Sequence, residues 1–137
     1  MKIYFKDIVV KTTKMYELID ITRDVERVVS ESKIVNGICV IHAPHATAAI
    51  VINEHENGLM SDILEFIREL VPRDGKWKHN IIDDNASAHI ISAIIGSTRI
   101  IPVRDGRLVR GTWQNIFLLE ADGPRHARRI VIEVFGE

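Results

Sequence analysis

The chain has 137 residues, a formal charge of −1 from 18 basic and 19 acidic side chains, and a hydrophobic content of 46%. That length accommodates one domain, residues 1–137, which can bury roughly 65–70% of its unfolded surface without a disulfide or a metal. A mean hydropathy of +0.04 with 27% charged residues excludes a disordered chain, the near-neutral balance excludes a general nucleic-acid binder, and no apolar run reaches the ~20 residues of a membrane span.

Taken in chain order, Met1–Asp7 carries charges where a signal peptide would be apolar, and residues 2–11 and 16–22 contain strand-like stretches joined by a turn at Lys11–Lys14. Thr22 is placed to cap a helix carrying Val25, Val28 and Val29 on one face, with Asn36-Gly37 as its stop. Two short apolar strands follow, Ile38–His42 and Ala48–Asn53, interrupted at Pro44. Cys39, the single cysteine, has no disulfide partner within the chain, so a reducing, cytoplasmic compartment is expected. Leu59, Met60, Ile63, Leu64, Ile67 and Leu70 recur at helical spacing before Pro72. Asp84 or Asn85 can cap a further helix over 86–95 that stops at Gly96. The last third reads as β: strands 97–103 and 108–120 flank an Asp105-Gly106 hairpin turn, and a final strand covers 127–135. Strands outnumber helices without alternating with them. The expected class is α+β, a mostly antiparallel β-sandwich-like core with two to three helices.

Six histidines and an uneven charge distribution are the chemical signals. His45 follows a proline at the break between two apolar strands, where a rigid sheet can hold a ring in a pocket wall. Asn53 and Glu54 directly follow Ile50–Ile52. They serve equally as a solvated turn or as groups facing the same cavity as His45, with Glu54 fixing the tautomer of a ligand histidine. His79 and His89 flank Asp83-Asp84-Asn85. If Asn85 is the N-cap, the positive helix end keeps the His89 ring neutral, the form a metal or a base requires, and free N–H groups there suit phosphate. Alternation over Leu108–Glu120 puts Thr112, Gln114 and Glu120 on one face with Leu108, Ile116 and Leu118, which suits a pocket wall or subunit interface. Residues 99–129 hold seven arginines against three acids. Arg125, Arg128 and Arg129, beside Gly123-Pro124, could bind a planar anion such as phosphate. No P-loop, dinucleotide fingerprint, Cys-x-x-Cys pair or serine-hydrolase elbow is present.

One resemblance spans essentially the whole chain. Gly96-Ser97, Ile101-Pro102-Val103, Asp105-Gly106-Arg107-Leu108, Gly111-Thr112-Trp113-Gln114-Asn115-Ile116 and Asp122-Gly123-Pro124-Arg125 resemble the YjbQ-type family, also called the secondary thiamine-phosphate synthase family. The His45–Glu54 stretch is similar to its His-Thr-[Ser/Thr]-Ala … Asn-Glu signature, and His79 and Asp84–His89 match two further segments. The resemblance implies a homotrimer with a cleft between subunits lined by His45, Thr47, Asn53, Glu54, His79, Asn85, His89, Thr112 and Gln114. It also implies an activity in which a thiazole nitrogen displaces pyrophosphate from a hydroxymethylpyrimidine pyrophosphate. Ala46, Ala49 and Val51 stand where that family usually has hydroxyl residues, and His55 where it usually has asparagine.

The expectation is therefore an enzyme for a small phosphorylated or pyrophosphorylated molecule, with no nucleic-acid or membrane partner. His45, Glu54 and His89 are its candidate catalytic residues. Thr47, Asn53, Asn85, Thr112, Gln114 and Arg125 would bind substrate. His45, His79 and His89 are the candidate ligands of a divalent metal, zinc by their chemistry or magnesium by that of pyrophosphate. A non-catalytic trimeric metal- or metabolite-binding protein and a metal-dependent phosphate-ester hydrolase are the alternatives.

Overall fold

A computed structural model describes residues 1–137. Eight strands form two sheets, all of whose pairings are antiparallel. The strands are β1 (Lys2–Val10), β2 (Glu17–Asp20), β3 (Gly37–His42), β4 (Ala48–Asn53), β5 (Thr98–Arg104), β6 (Arg107–Leu108), β7 (Asn115–Glu120) and β8 (Arg128–Gly136). The large sheet runs β1-β8-β3-β5-β6 and the small one β2-β7-β4. Three helices, α1 (Thr22–Ser32), α2 (Asn57–Leu70) and α3 (Ala86–Ile95), complete the α+β fold, and a 3-10 turn covers Lys78–Ile81. No helix is long and apolar enough to cross a membrane.

Alternation along the strands builds two cores. Cys39 and Ile41 of β3, Ile101 and Val103 of β5, and Ile130, Ile132 and Val134 of β8 point inward from the large sheet. They meet Ile50, Ile116 and Leu118 of the small sheet, and Val25, Val28 and Val29 of α1 close the side. The other face of the small sheet presents Leu18, Ala49, Phe117 and Leu119 to Ile67 of α2 and to Ala88 and Ile91 of α3. Strand β7 is thus buried on both faces, as its near-continuous apolar run requires.

The outer face of the large sheet has no layer over it. Cross-strand register aligns Ile3, Phe135, Ile38 and Pro102 in one row and Phe5, Glu133, Val40 and Ile100 in the next. Phe5 is 66% exposed and Ile100 61%.

Strands β3 and β4, helix α3 and the Asp105-Gly106 turn fall where the sequence places them. Three local expectations change. Residues 108–120 are not one strand: Leu108 ends β6 in the large sheet, and β7 begins at Asn115 in the small one. Between them Gln114 closes a turn, its side-chain oxygen accepting from Gly111 N–H at 2.7 Å while its own N–H donates to Gly111 O at 3.0 Å. The N-cap position of α1 is Ile21, which has no side-chain bond; Thr22 lies inside the helix, and Asp20 Oδ1, just before the cap, accepts from its N–H and hydroxyl at 2.9 and 2.6 Å. That helix stops at Lys33, in the left-handed region at φ 60, before Asn36-Gly37 is reached.

Candidate functional site

Strand β7 delivers a carboxylate into the core. Glu120 continues the inward phase of Ile116 and Leu118 and is fully buried, and Arg128, in phase with Ile130 and Ile132, is 4% exposed. Their guanidinium and carboxylate pair through two bonds, one of them Arg128 Nε to Glu120 Oε1 at 2.9 Å. Arg128 also donates to the hydroxyl of Thr47 at 3.0 Å, and Glu120 accepts from Thr12 Oγ1 at 2.8 Å and from Asp122 N–H at 3.1 Å. Burial pushes the Glu120 carboxyl up, but the bonds from Arg128, Thr12 and Asp122 outweigh it and hold the group below its ordinary range.

The chain of bonds continues through the Asp122–Pro124 turn. Gly123 is required there, since a Cβ would sit 2.1 Å from the Lys14 carbonyl oxygen. The Asp122 carboxylate accepts from Arg73 at 2.8 Å, Arg125 at 2.9 Å and Asn85 at 3.0 Å. Burial acts against ionisation of Asp122, and these three donors overcome it, leaving the carboxyl below its ordinary value. Asn85 occupies the N-cap position of α3 without capping it. Its amide donates to Asp122, which turns its oxygen toward His79 Nε2 at 3.1 Å. The rings of His79 and His89 then meet edge to face, with centroids 4.8 Å apart.

These partners fix tautomers. His79 donates through Nε2, leaving Nδ1 with its lone pair. His45 donates through Nε2 to the Arg129 carbonyl at 2.8 Å, also leaving Nδ1 free. Desolvation lowers the His45 pKa and exceeds the opposing effect of that bond, which keeps the ring neutral. The His89 ring has no hydrogen-bond partner. An N–H anchored on a carbonyl or amide oxygen with the other nitrogen open is the arrangement seen behind metal-ligating histidines. Within one chain, however, no group of three or more His, Cys, Asp or Glu side chains is disposed to hold a metal. His79 and His89 are brought together, while His45 is anchored on β8.

The remaining expected site residues lie elsewhere. Strands β4 and β7 pair with Ala48 opposite Glu120 at one end and Asn53 opposite Asn115 at the other. Five residues of strand separate these ends, roughly 17 Å at ~3.3 Å per residue. Thr47, Asn85, His79 and Arg125 join the Glu120 end through the bonds above, and His45 and His89 stand beside it. Asn53, Glu54, Thr112 and Gln114 belong to the Asn115 end. Glu54, His55, Glu56, Thr112, Trp113 and Asn115 line a depression of about 320 Å³ there. Asn53 accepts from the Glu54 N–H at 2.8 Å, and the Glu54 carboxylate is unpartnered. Gln114 is committed to its turn and Arg125 largely to Asp122.

Sequence reasoning did not single out Thr12, Asp20 or Arg73, and it met Asp122 and Asn115 only inside the family-like motifs, without giving them a role. One signal was readable: opposite charges in core phase at Glu120 and Arg128.

Two antiparallel sheets with helices over one of them, and a buried ion pair feeding a polar strand end, define the structural class. The sequence profile of the UPF0047 protein YjbQ-like family matches residues 6–137, and the chain belongs to that family. A UPF0047 protein of Archaeoglobus fulgidus is 46% identical over 127 residues, 93% of this chain and 98% of the relative. The UPF0047 protein YugU of Bacillus subtilis is 39% identical over 135 residues, 96% of this chain and 98% of its own. Among solved structures, a YbjQ-like protein of unknown function from Sulfolobus solfataricus superposes with a TM-score of 0.98 at 57% identity, covering 99% of each chain. A hypothetical protein from Aeropyrum pernix superposes with a TM-score of 0.94 at 47% identity, covering 97% of this chain and 98% of the other.

Proposed function

We propose that this chain is one subunit of a cytoplasmic homotrimeric enzyme acting on a small phosphorylated or pyrophosphorylated molecule in a cleft between copies. The observation that carries this reading is the division of the polar residues between opposite ends of the β4–β7 ladder. Each end is incomplete: His89 lacks a hydrogen-bond partner at one, and the Glu54 carboxylate lacks one at the other. A neighbouring copy supplies what each end lacks, and the uncovered face around Phe5, Ile38 and Ile100 offers the apolar area to hold copies together.

In this cleft Arg73 and Arg125, each held by Asp122, face the anionic groups and offset charge growing on a leaving phosphate. Asn53 and Thr112 of the neighbour orient the organic part, and its Glu54 acts on the His89 ring. Nδ1 of His79 and the free nitrogens of His89 would be donors to a divalent metal, with the further ligands, His45 among them, coming from the second copy. Imidazole donors suit zinc, which would supply Lewis acidity toward phosphoryl oxygen. Transfer of a hydroxymethylpyrimidine group from pyrophosphate to a thiazole nitrogen is the specific reaction to assay.

The arrangement is tested by cross-linking. With His89→Cys and Glu54→Cys in one chain, a short bis-maleimide should give covalent dimers and trimers, and wild-type protein, whose Cys39 is buried, should give none. A double variant that stays monomeric on a denaturing gel refutes the composite cleft. Light scattering should give about three times 15.6 kDa, and Phe5→Lys with Ile100→Lys should lower that mass. Metal content and turnover of the two thiamine precursors decide the chemistry. Turnover lost in His45→Ala and His89→Ala supports the synthase. Bound metal without turnover assigns a binding protein, and phosphate release without a second substrate assigns a hydrolase.

A further inference from the structure

Asp20 accepts four hydrogen bonds at the Asn115 end of the ladder. Two come from the N–H and hydroxyl of Thr22 at the start of α1, a third comes from Asn115 Nδ2 at 2.7 Å and ties β2 to β7, and the fourth comes from His55 Nδ1 at 2.6 Å. The first three already satisfy a structural carboxylate. The fourth places an imidazole, one that stands where the resembled family usually has asparagine, on a carboxylate that stays ionised. Burial opposes that ionisation, but the bonds from His55, Thr22 and Asn115 bring the Asp20 pKa down to about 2. The His55 ring also lies against the buried Phe117 ring, with centroids 5.5 Å apart, so its orientation is set from two sides.

With Nδ1 donating to Asp20, Nε2 carries the lone pair, and it has no partner in the chain. His55 separates the 320 Å³ depression from a second one of about 720 Å³ lined by Asp20, Thr22, Arg23, Asp24, Glu26, Arg110 and Asn115, all polar. The charges around it are mostly committed. Asp24 pairs with Arg27, Glu26 with Arg110, and both Glu56 oxygens cap α2. Arg23 is the unpaired cation of the larger depression, and Glu54 the unpaired acid of the smaller.

We propose that His55, held by Asp20 with Nε2 open, accepts a hydrogen bond from the hydroxyl of a small hydroxyl-bearing anion whose charge rests on Arg23. The Asp20 carboxylate keeps the ring in the one tautomer whose Nε2 can accept. This requires one chain only and stands independently of the composite cleft.

Glycerol 3-phosphate is a suitable probe, with glycerol and inorganic phosphate as controls, followed through the ring signals of all six histidines in labelled wild-type protein. Long-range nitrogen correlations should report His55 as the Nδ1–H tautomer. Its signals should move saturably with the probe and much less with glycerol, and Arg23→Ala should weaken the response about tenfold, the loss of ~1.4 kcal/mol of charge pairing. Asp20→Asn should weaken the preference of His55 for the Nδ1–H tautomer; the tautomer in wild-type protein provides the same test should that variant fold poorly. An Nε2–H tautomer, or a His55 signal that the probe leaves unmoved, overturns the proposal. Movement of His79 and His89 without His55 overturns it while leaving the composite cleft intact, and movement of His55 alone does the reverse.

Discussion

Replacing Arg128 by methionine tests the buried pair directly. Arg128 gives Glu120 two hydrogen bonds and Thr47 a third in a site where the carboxylate is fully buried. Without the guanidinium, Glu120 keeps only Thr12 Oγ1 and the Asp122 N–H. Breaking a buried pair from one side costs about 3–5 kcal/mol, because an unpaired charge is left behind. With a urea dependence of ~2 kcal/mol per molar, the unfolding midpoint should fall by roughly 2 M at fixed protein concentration. Removing both partners, Glu120→Leu with Arg128→Met, should cost about 1–3 kcal/mol, the residue of Thr12, Thr47 and Asp122 N–H left without partners. The gap between wild type and Arg128→Met should narrow as pH falls from neutral toward about 4, since burial without the guanidinium raises the Glu120 carboxyl and it escapes its penalty by protonating above its ordinary range. A single variant that loses less than ~1 kcal/mol, or a double variant less stable than the single, refutes the reasoning.

Acid unfolding should track the lowered carboxyls. Asp20 lies at about 2 against an ordinary 3.8, so the unfolded chain binds its proton first as pH falls. The stability Asp20 confers is complete above about 4 and lost toward 2, which urea midpoints across that range will show. Cys39 is buried, and desolvation pushes its thiol up to about 12. A thiol reagent at neutral pH should therefore label it only at the rate of opening, rising with urea; prompt labelling of native protein would refute its placement. Gly123→Ala should lose about 3 kcal/mol in urea unfolding, because its Cβ collides with the Lys14 carbonyl and displaces Asp122.

Periodicity made the regular elements legible. Ile38–His42, Ala48–Asn53 and the helix over 86–95 carry patterns that tertiary packing reinforces, and the structure keeps them. Residues 108–120 misled because alternation reports a pleat without reporting which sheet the strand joins. The break at Gly111–Gln114 is made by a side-chain bond that leaves no trace in hydropathy. The same limit applied to the site. His79 and Asn85 are six residues apart, and their contact follows from a local turn. Asp122 gathers Arg73 and Asn85 through tertiary placement, with Arg125 added from three residues along the chain, and the roughly 17 Å between Glu120 and Asn115 depends on both lying on one strand, β7.

Strand β8 enters the large sheet between β1 and β3, so a strand made after both of them fills the gap between them. A nascent chain that has emerged only as far as His126 holds two sheet edges with nothing between them. It also holds a Glu120 without its arginine and an apolar inner face short of Ile130, Ile132 and Val134. Such a chain pairs readily with other open edges. Cooperative closure by one late strand makes truncation before Arg128 far more damaging than its length suggests, and ties the completion of the Glu120 end to the completion of the sheet itself.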